Sequence, residues 1–525
     1  MIPGKRRAAD SLREGDAERG RFGFHGKPAA LVVSVFVVSR VLFFLAGVRF
    51  EATPLNSYWQ YLDPQWLRED LVRSLFYLHS QPPLFNCFLG LVLKTFPGHE
   101  SGAFAVSYMA LGLVLGISLY LLMIRLGVSR WLGAVLSILF LISPSCILYE
   151  NWLFYTCPVT VLLCVSALFF HRFLSTRSVA NGIVFFTLLA AVVLTRSIFH
   201  LFWFLLFGVI LVLSQPRHWK KVVVAGCVPL ALLMFVYAKN LYLFGSFSSS
   251  TWLGMNFAKI TTVRVPKELR WEWVSTGTLS SLALHHPFAG PGSRSYRGYF
   301  SQRPRIGVSV LDDELKSTGH ANYNNIAYVR ISKQYFRDAM TVLALDPVRY
   351  LGGVAKACEI YLRPGSHSEL LRENRRRLRD FERAYHIVFH GQVSDERGIP
   401  LQRGSIAEYY VHARGSAGWF TSKAWFLIVG CPLLTLFGFV LGMRVLRTRA
   451  DAPFALTMLF LAANIAYVTV VSNAVEIGEN NRYRFIVDPY LLVIAGVCLE
   501  RGLGALRRRR SDMSKVCGDE PGYGG

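Results

Sequence analysis

The block from Ala424 to Met443 holds 20 residues and no charge, about the length an α-helix needs to cross the hydrocarbon of a bilayer. Nine further apolar windows accompany it: Ala29 to Val48, Gly102 to Ile124, Trp131 to Leu148, Leu153 to Phe170, Gly182 to Leu194, Phe199 to Leu213, Val222 to Leu243, Pro453 to Ser472 and Phe485 to Leu499. The expected fold class is therefore an all-α polytopic membrane protein. It has about ten transmembrane helices, juxtamembrane helices and one large exterior, mainly helical loop domain. Composition agrees, because 53% of the residues are hydrophobic and only 17% are charged. A soluble domain carries roughly 25% charge, so a cytosolic enzyme is disfavoured.

The formal net charge of +24 points, in such a chain, to cytoplasmic anchoring loops and contact with anionic membrane lipid, not to nucleic acid. Orientation follows Lys and Arg in short loops. Arg125 to Arg130, Arg172 to Arg177, Arg217 to Lys221, Arg444 to Arg449 and Arg507 to Arg510 then all fall on the cytoplasmic side of one alternating path. That path requires the stretch Pro82 to Phe96 not to cross. At about 15 residues, with Lys94 and flanking prolines, it suits an interfacial or re-entrant helix.

The resulting layout has a cytoplasmic basic tail (1–27) and an N-terminal transmembrane module (28–243) whose first exterior loop covers 49–102. An exterior loop domain (244–423), C-terminal transmembrane helices (424–500) and a second cytoplasmic basic tail (501–525) follow. Both termini are cytoplasmic, and the location is a plasma membrane, that of a bacterial cell. The first 27 residues carry seven basic and four acidic side chains, too polar for a signal peptide, so they read as a tail before an uncleaved first span. The nine cysteines form no CxxC pair and read as small buried apolar residues.

The exterior segment contains 25 basic and 15 acidic residues, which the positive-inside rule permits in a long loop. Ser246 to Gly319, rich in Gly, Ser and Pro, is expected to be irregular. From Ala321 onward, Ile326, Val329, Tyr335, Phe336, Met340, Leu343 and Leu345 recur at helical spacing, and Glu369 to Ala384 is a basic amphipathic stretch.

Ionisable groups in or beside a span are costly and tend to have a purpose, and four clusters stand out. The first holds Asp63, Pro64, Arg68, Glu69 and Asp70, then His79, Ser80, Gln81, Pro82 and Pro83. A carboxylate here can take a proton from an acceptor, or Asp63 can simply cap the following helix. The second is Tyr149, Glu150, Asn151 and Trp152, at a turn whose polar residues also suit a wet loop. The third is Arg40, within the first span, and Arg196, between two windows. Arginine binds phosphate bidentately, while Arg40 equally suits an internal ion pair. The fourth runs from Glu476 through Glu479, Arg482, Tyr483 and Arg484 to Asp488, which lies in an apolar window and needs a partner.

Other signals are weaker. Asp312, Asp313 and Glu314 sit in a polar loop, and His285 and His286 lack further ligands at metal spacing. No clear metal-ligand set is present, though a divalent metal stays open. No GxxxxGK[ST], GxGxxG or GxSxG occurs, so nucleotide and dinucleotide sites have no support.

Together the clusters resemble the multi-span, lipid-linked-sugar glycosyltransferases of the GT-C class, which includes protein O-mannosyltransferases and the lipid A aminoarabinose transferases. The resemblance rests on Asp63, the His79-x-x-Pro82-Pro83-Leu84 run, the stretch Asn240 to Asn256 around Phe244-Gly245-Ser246-Phe247, and Glu479-x-x-Arg482-Tyr483-Arg484. It implies transfer of a sugar from a polyprenyl-phosphate donor to a cell-envelope glycan, lipid or protein acceptor on the exterior face. It also implies roles by position: Asp63 as catalytic base, His79, Gln81 and Glu150 bordering the substrate, Arg196 on the phosphate, and Glu479, Arg482 and Tyr483 near the donor. Pro64 after Asp63 departs from the family's paired acids and leaves a second acid and any metal requirement in doubt. A polysaccharide polymerase and a lipid-linked glycan transporter or flippase are the alternatives.

Overall fold

The computed structural model describes residues 26–301, 305–391 and 424–518. Helices dominate, and the described residues contain no strand beyond two isolated bridges, Glu51 with Trp152 and Leu315 with Ala321. Most of the N-terminal basic tail, the segment 392–423 and the last seven residues lie outside the described residues.

Each apolar window carries a helix, but they differ in reach. Six are long and apolar enough to cross a membrane: Lys27–Leu45, Glu100–Arg125, Thr156–Thr176, Trp219–Phe244, Trp425–Thr448 and Ala452–Val475. Arg130–Leu141 and Pro144–Glu150 pass that test only as a pair bent by 59°. The bend falls where Ser143 accepts a hydrogen bond from the Cys146 amide (3.2 Å) ahead of Pro144, starting a new helix with its own cap. Pro83–Thr95, Val179–Val193 and Leu201–Ser214 have 13, 15 and 14 residues. At about 1.5 Å per residue they reach only some 20 Å. The window after Phe485 lies in the 39-residue helix Asn480–Gly518, whose apolar part carries Arg484, Asp488 and Glu500. Among the described residues, six full-length helices, or seven with the bent pair as one span, are thus shown where ten spans were expected.

The helices are held laterally by polar contacts of the kind that serve where no water competes. His171 Nδ1 meets Thr457 Oγ1 (3.1 Å), Trp203 Nε1 donates to Asn464 Oδ1 (3.0 Å), and the Tyr467 hydroxyl donates to the Ile198 carbonyl (2.6 Å). A Cβ at Gly442 would lie 2.8 Å from Leu459 Cγ and 3.0 Å from the Ala455 carbonyl, so glycine there sets the closeness of the helices Trp425–Thr448 and Ala452–Val475. Outward, Val228 and Leu213 are each 74% exposed, a surface suited to lipid.

Two ends of the bundle differ. At one, Lys221 Nζ donates to the Arg177 carbonyl (3.1 Å), the Ser129 amide donates to Glu500 Oε2 (2.9 Å), and His171 lies within electrostatic range of Arg125 and Asp451. This gathers the short basic loops. The other end bears the segment 49–99 and the long connection after Phe244. That connection is mainly helical, as expected, but its early part is less irregular than its composition implies, with helices at Leu253–Ile260 and Lys267–Ser275. Trp252, Met255, Tyr296, Tyr328, Ile331 and Tyr335 form its own core. It is also bolted to the bundle: the Tyr350 hydroxyl donates to the Ala474 carbonyl (3.0 Å), and Thr469 Oγ1 donates to the Tyr361 hydroxyl (2.8 Å).

Candidate functional site

Three chain breaks meet at the end away from the basic loops. The helix Val179–Val193 stops because Leu194 turns its carbonyl to the Leu84 amide (2.8 Å), and this presents Arg196 two residues on. The bent segment after Glu150 leads through Phe154 and Tyr155 into the next helix. Between the last two long helices, Gly478 adopts φ +140°, a conformation open to glycine. Asn480 Oδ1 accepts from its amide (3.0 Å), while Asn480 Nδ2 donates to the Ser472 and Glu476 carbonyls (3.2 and 3.1 Å). That turn directs Glu476, Glu479, Arg482 and Tyr483 at Arg196.

Arg196 donates through Nη1 to the Tyr155 hydroxyl and through Nη2 to the Tyr483 hydroxyl, which in turn donates to Glu476 Oε2. Its guanidinium carbon stands 4.7 Å from the centroid of each tyrosine ring. Lys259, carried in by the helix Leu253–Ile260, bonds Glu476 Oε1 at 2.9 Å, and Arg196 Nη2 lies 3.8 Å from Glu476 Oε2. Burial alone would raise the Glu476 pKa, but Lys259, Arg196 and the Tyr483 hydroxyl outweigh it and hold the carboxyl down at about 2.

Arg482 lies alongside, 4.6 Å over the Phe154 ring, and makes one side-chain hydrogen bond, to Glu479 Oε2 at 2.8 Å. Glu479 Oε1 accepts from Ser368 (3.1 Å). Arg196, Lys259 and Arg482 outnumber Glu476 and Glu479, leaving one surplus positive charge. The Nε atoms of both Arg196 and Arg482 are buried without a hydrogen-bond partner. Buried N–H groups are nearly always paired, so this cage has donors to spare. Its chemical capacity is to take a small oxyanion against two planar guanidiniums and the tyrosine hydroxyls.

The residues singled out from sequence divide. Arg196, Glu479, Arg482 and Tyr483 come together in the cage. Gln81 precedes the helix Pro83–Thr95, whose Leu84 amide bonds the Leu194 carbonyl, and its own Oε1 is buried with no hydrogen-bond partner among the described residues. Asp63, 1% exposed, caps the helix Pro64–Glu69 by accepting from the Gln65 amide (2.8 Å), and takes the Ser317 hydroxyl (2.6 Å) and the Ser317 amide as well. Beside it, Lys316 Nζ donates to the Tyr58 carbonyl (2.8 Å), and burial pushes that amine down to about 8 although Asp63 opposes the shift.

His79 is equally engaged. Its Nε2–H donates to the Asn324 carbonyl and its Nδ1 accepts from the Thr251 hydroxyl, both at 2.9 Å. Burial lowers its pKa to about 3, against a smaller opposing contribution from Asn324, so the ring is neutral. Glu150 faces away from the cage and gives both carboxylate oxygens to Arg40, at 2.9 and 2.6 Å. Asp488 finds its partner in Arg484 (3.0 Å). Sequence reasoning did not single out Lys259 or Tyr155. The only signal for Lys259 was a cation inside a short apolar helix of the long connection after Phe244.

Compared with known proteins, the chain matches no family, no curated protein and no solved structure. What the fold defines is a class: a multi-pass, all-α membrane protein, with the buried arginines Arg196 and Arg482 clustered at one end of the bundle.

Proposed function

We propose that the chain is an integral-membrane glycosyltransferase that moves a sugar from a polyprenyl-phosphate donor to a cell-envelope glycan, lipid or protein acceptor. The observation that carries this reading is the pair of buried guanidiniums, Arg196 and Arg482, each with an unbonded Nε, at the bundle end opposite the short basic loops. Under the positive-inside rule that end is exterior and both termini are cytoplasmic, and in a bacterium the membrane is the plasma membrane. The tail of the donor would lie along the lipid-facing helices and its phosphate between the arginines, with Lys259 and Glu476 fixing their positions.

In this reaction the acceptor oxygen bonds to the anomeric carbon with inversion, and the bond from that carbon to the phosphate oxygen breaks. The electron pair leaves on the phosphate, where Arg196 and Arg482 stabilise the added charge. The acceptor proton passes to a carboxylate. Both candidates are hydrogen-bonded, Glu479 by Arg482 and Ser368 and Asp63 by Ser317, but Glu479 is 21% exposed and borders the arginines, whereas Asp63 is 1% exposed. No nucleotide is required, because the leaving group is already a phosphate.

The test is to reconstitute the protein in nanodiscs with labelled polyprenyl-phosphate sugars and envelope fractions. Transfer of label, lost in Arg196→Ala and Arg482→Ala while both remain folded, supports the reading. Donor crossing the bilayer unconsumed would favour a flippase and sink it. Turnover indifferent to both arginines would favour a polymerase that uses other residues.

A further inference from the structure

We propose that His367, Glu382 and His386 form a divalent-metal site, zinc by its donor chemistry, that staples the 364–368 loop to the helix Arg379–His390. The three side chains offer ligand atoms that all lie within 4.8 Å of one another. His367 Nε2 stands 3.7 Å and His386 Nε2 3.5 Å from the same oxygen, Glu382 Oε1. The first separation is beyond hydrogen-bond range and the second at its limit. They suit two ligands on one ion: with bonds of about 2.0–2.1 Å, the edge of a tetrahedron is about 3.4 Å.

The local structure explains the convergence. Glu382 and His386 are one turn apart on the same helix face, and His367 comes over them on the loop that follows the helix Pro347–Tyr361. Arg375 holds the carboxylate from behind, with Nε 3.0 Å from Oε1 and 2.9 Å from Oε2, as second-sphere groups orient metal-binding carboxylates. Its charge also weakens the site for a cation. Ser366 Oγ lies 2.9 Å from His386 Nε2, a hydrogen bond the ion would displace, and a water would take the fourth position. The side chains are 12%, 7% and 1% exposed in chain order, and such burial favours a closed, structural ion over an open catalytic one.

The staple has a downstream connection. The Pro364 and His367 carbonyls accept from Asn481 Nδ2 (2.9 and 3.1 Å), and Ser368 holds Glu479. The loop the metal would fix is therefore the one that braces the turn bearing Glu479 and Arg482. The binding itself does not depend on the reaction proposed above.

The experiment uses the full chain without an affinity tag, stripped with chelator in detergent and then equilibrated with zinc. The expected result is one equivalent of tightly bound zinc by elemental analysis, with affinity reduced roughly 100-fold or more in His386→Ala and His367→Ala, beyond the 10–100-fold usual for second-sphere losses. Cobalt alone, added to the stripped wild type, should give the visible absorption of a tetrahedral site and lose it on addition of one equivalent of zinc. That readout decides the matter should either variant fail to fold. Wild-type protein that holds no zinc, or variants that bind it unchanged, would overturn the proposal, as would cobalt without tetrahedral bands.

Discussion

Arg40 and Arg196 are both buried arginines next to a glutamate and over an aromatic ring, yet their surroundings differ in one respect. Arg40 has every donor occupied: Nε and Nη2 reach Glu150, Nη1 reaches Ser39 and the Leu141 carbonyl (both 3.0 Å), and Nη2 also reaches Cys146 Sγ (3.9 Å). Arg196, and still more Arg482, keep donors unused. A saturated guanidinium is part of the scaffold, because a further ligand would have to break existing bonds. An unsaturated one has already met the cost of desolvation with part of its bonding left over, which is the condition for recognising an anion.

The largest effect that would sharpen this contrast lies on the saturated side. Arg40→Ala strands Glu150 at the end of the helix Pro144–Glu150 and should cost about 3–5 kcal/mol, read as a fall in thermal stability in detergent. Replacing both partners by Met and Leu should restore most of it, with turnover per folded molecule unchanged throughout. Next in size, Arg196→Ala and Arg482→Ala should leave folding close to intact while slowing sugar transfer roughly 100-fold, the usual loss for one donor to a developing anion. Lysine at either position should rescue poorly, since it lacks the planar fork. If Arg196→Ala instead unfolds the protein as severely as Arg40→Ala, the distinction fails.

A smaller effect comes with acid. The His79 pKa of about 3 lies below the unfolded value near 6.5. Between those values the unfolded chain binds more protons, so the stability this group contributes is present above pH 6.5 and lost as pH falls toward 3. Glu476 adds a second loss between its ordinary 4.5 and about 2. Limited proteolysis at stepped pH should show the segment 49–99 and the connection after Phe244 loosening first across the upper window, and His79→Gln should flatten that onset. Smallest of all, Asp63→Asn should cost about 1 kcal/mol through the weakened cap. It should change transfer only a few-fold, whereas Glu479→Gln should abolish it. The reverse order would return the base to Asp63.

How much of this was legible beforehand depends on whether a residue's partner is local. The helices were, because apolar blocks need no partner to be recognised, and even the 59° bend falls inside one window at Ser143 and Pro144. Arg482 and Tyr483 stood out because charges crowd the start of an apolar helix. Asp63 showed its cap in the next residue, Pro64, but nothing nearby revealed Ser317, 254 positions away. Glu150 looked like a wet turn because Arg40 lies 110 residues earlier. The His367, Glu382 and His386 group offered only an i, i+4 pair, and its third member depends on a loop fold that no periodicity encodes. Ten spans were expected where six helices among the described residues reach full length, because hydropathy measures composition, whereas helix length depends on where caps and prolines break the chain.

Glu476 sets an order of events during synthesis. Lys259 meets its counter-charge 217 residues later, and Arg196, made earlier, waits longer still for the same carboxylate. Until the ribosome has delivered the penultimate helix, both cations have to stay wet, and the mouth stays splayed. A chain cut short before Ala452 would lack Glu476 and leave this end of the bundle open and wet, a mark by which a quality-control protease can tell an unfinished copy from a finished one.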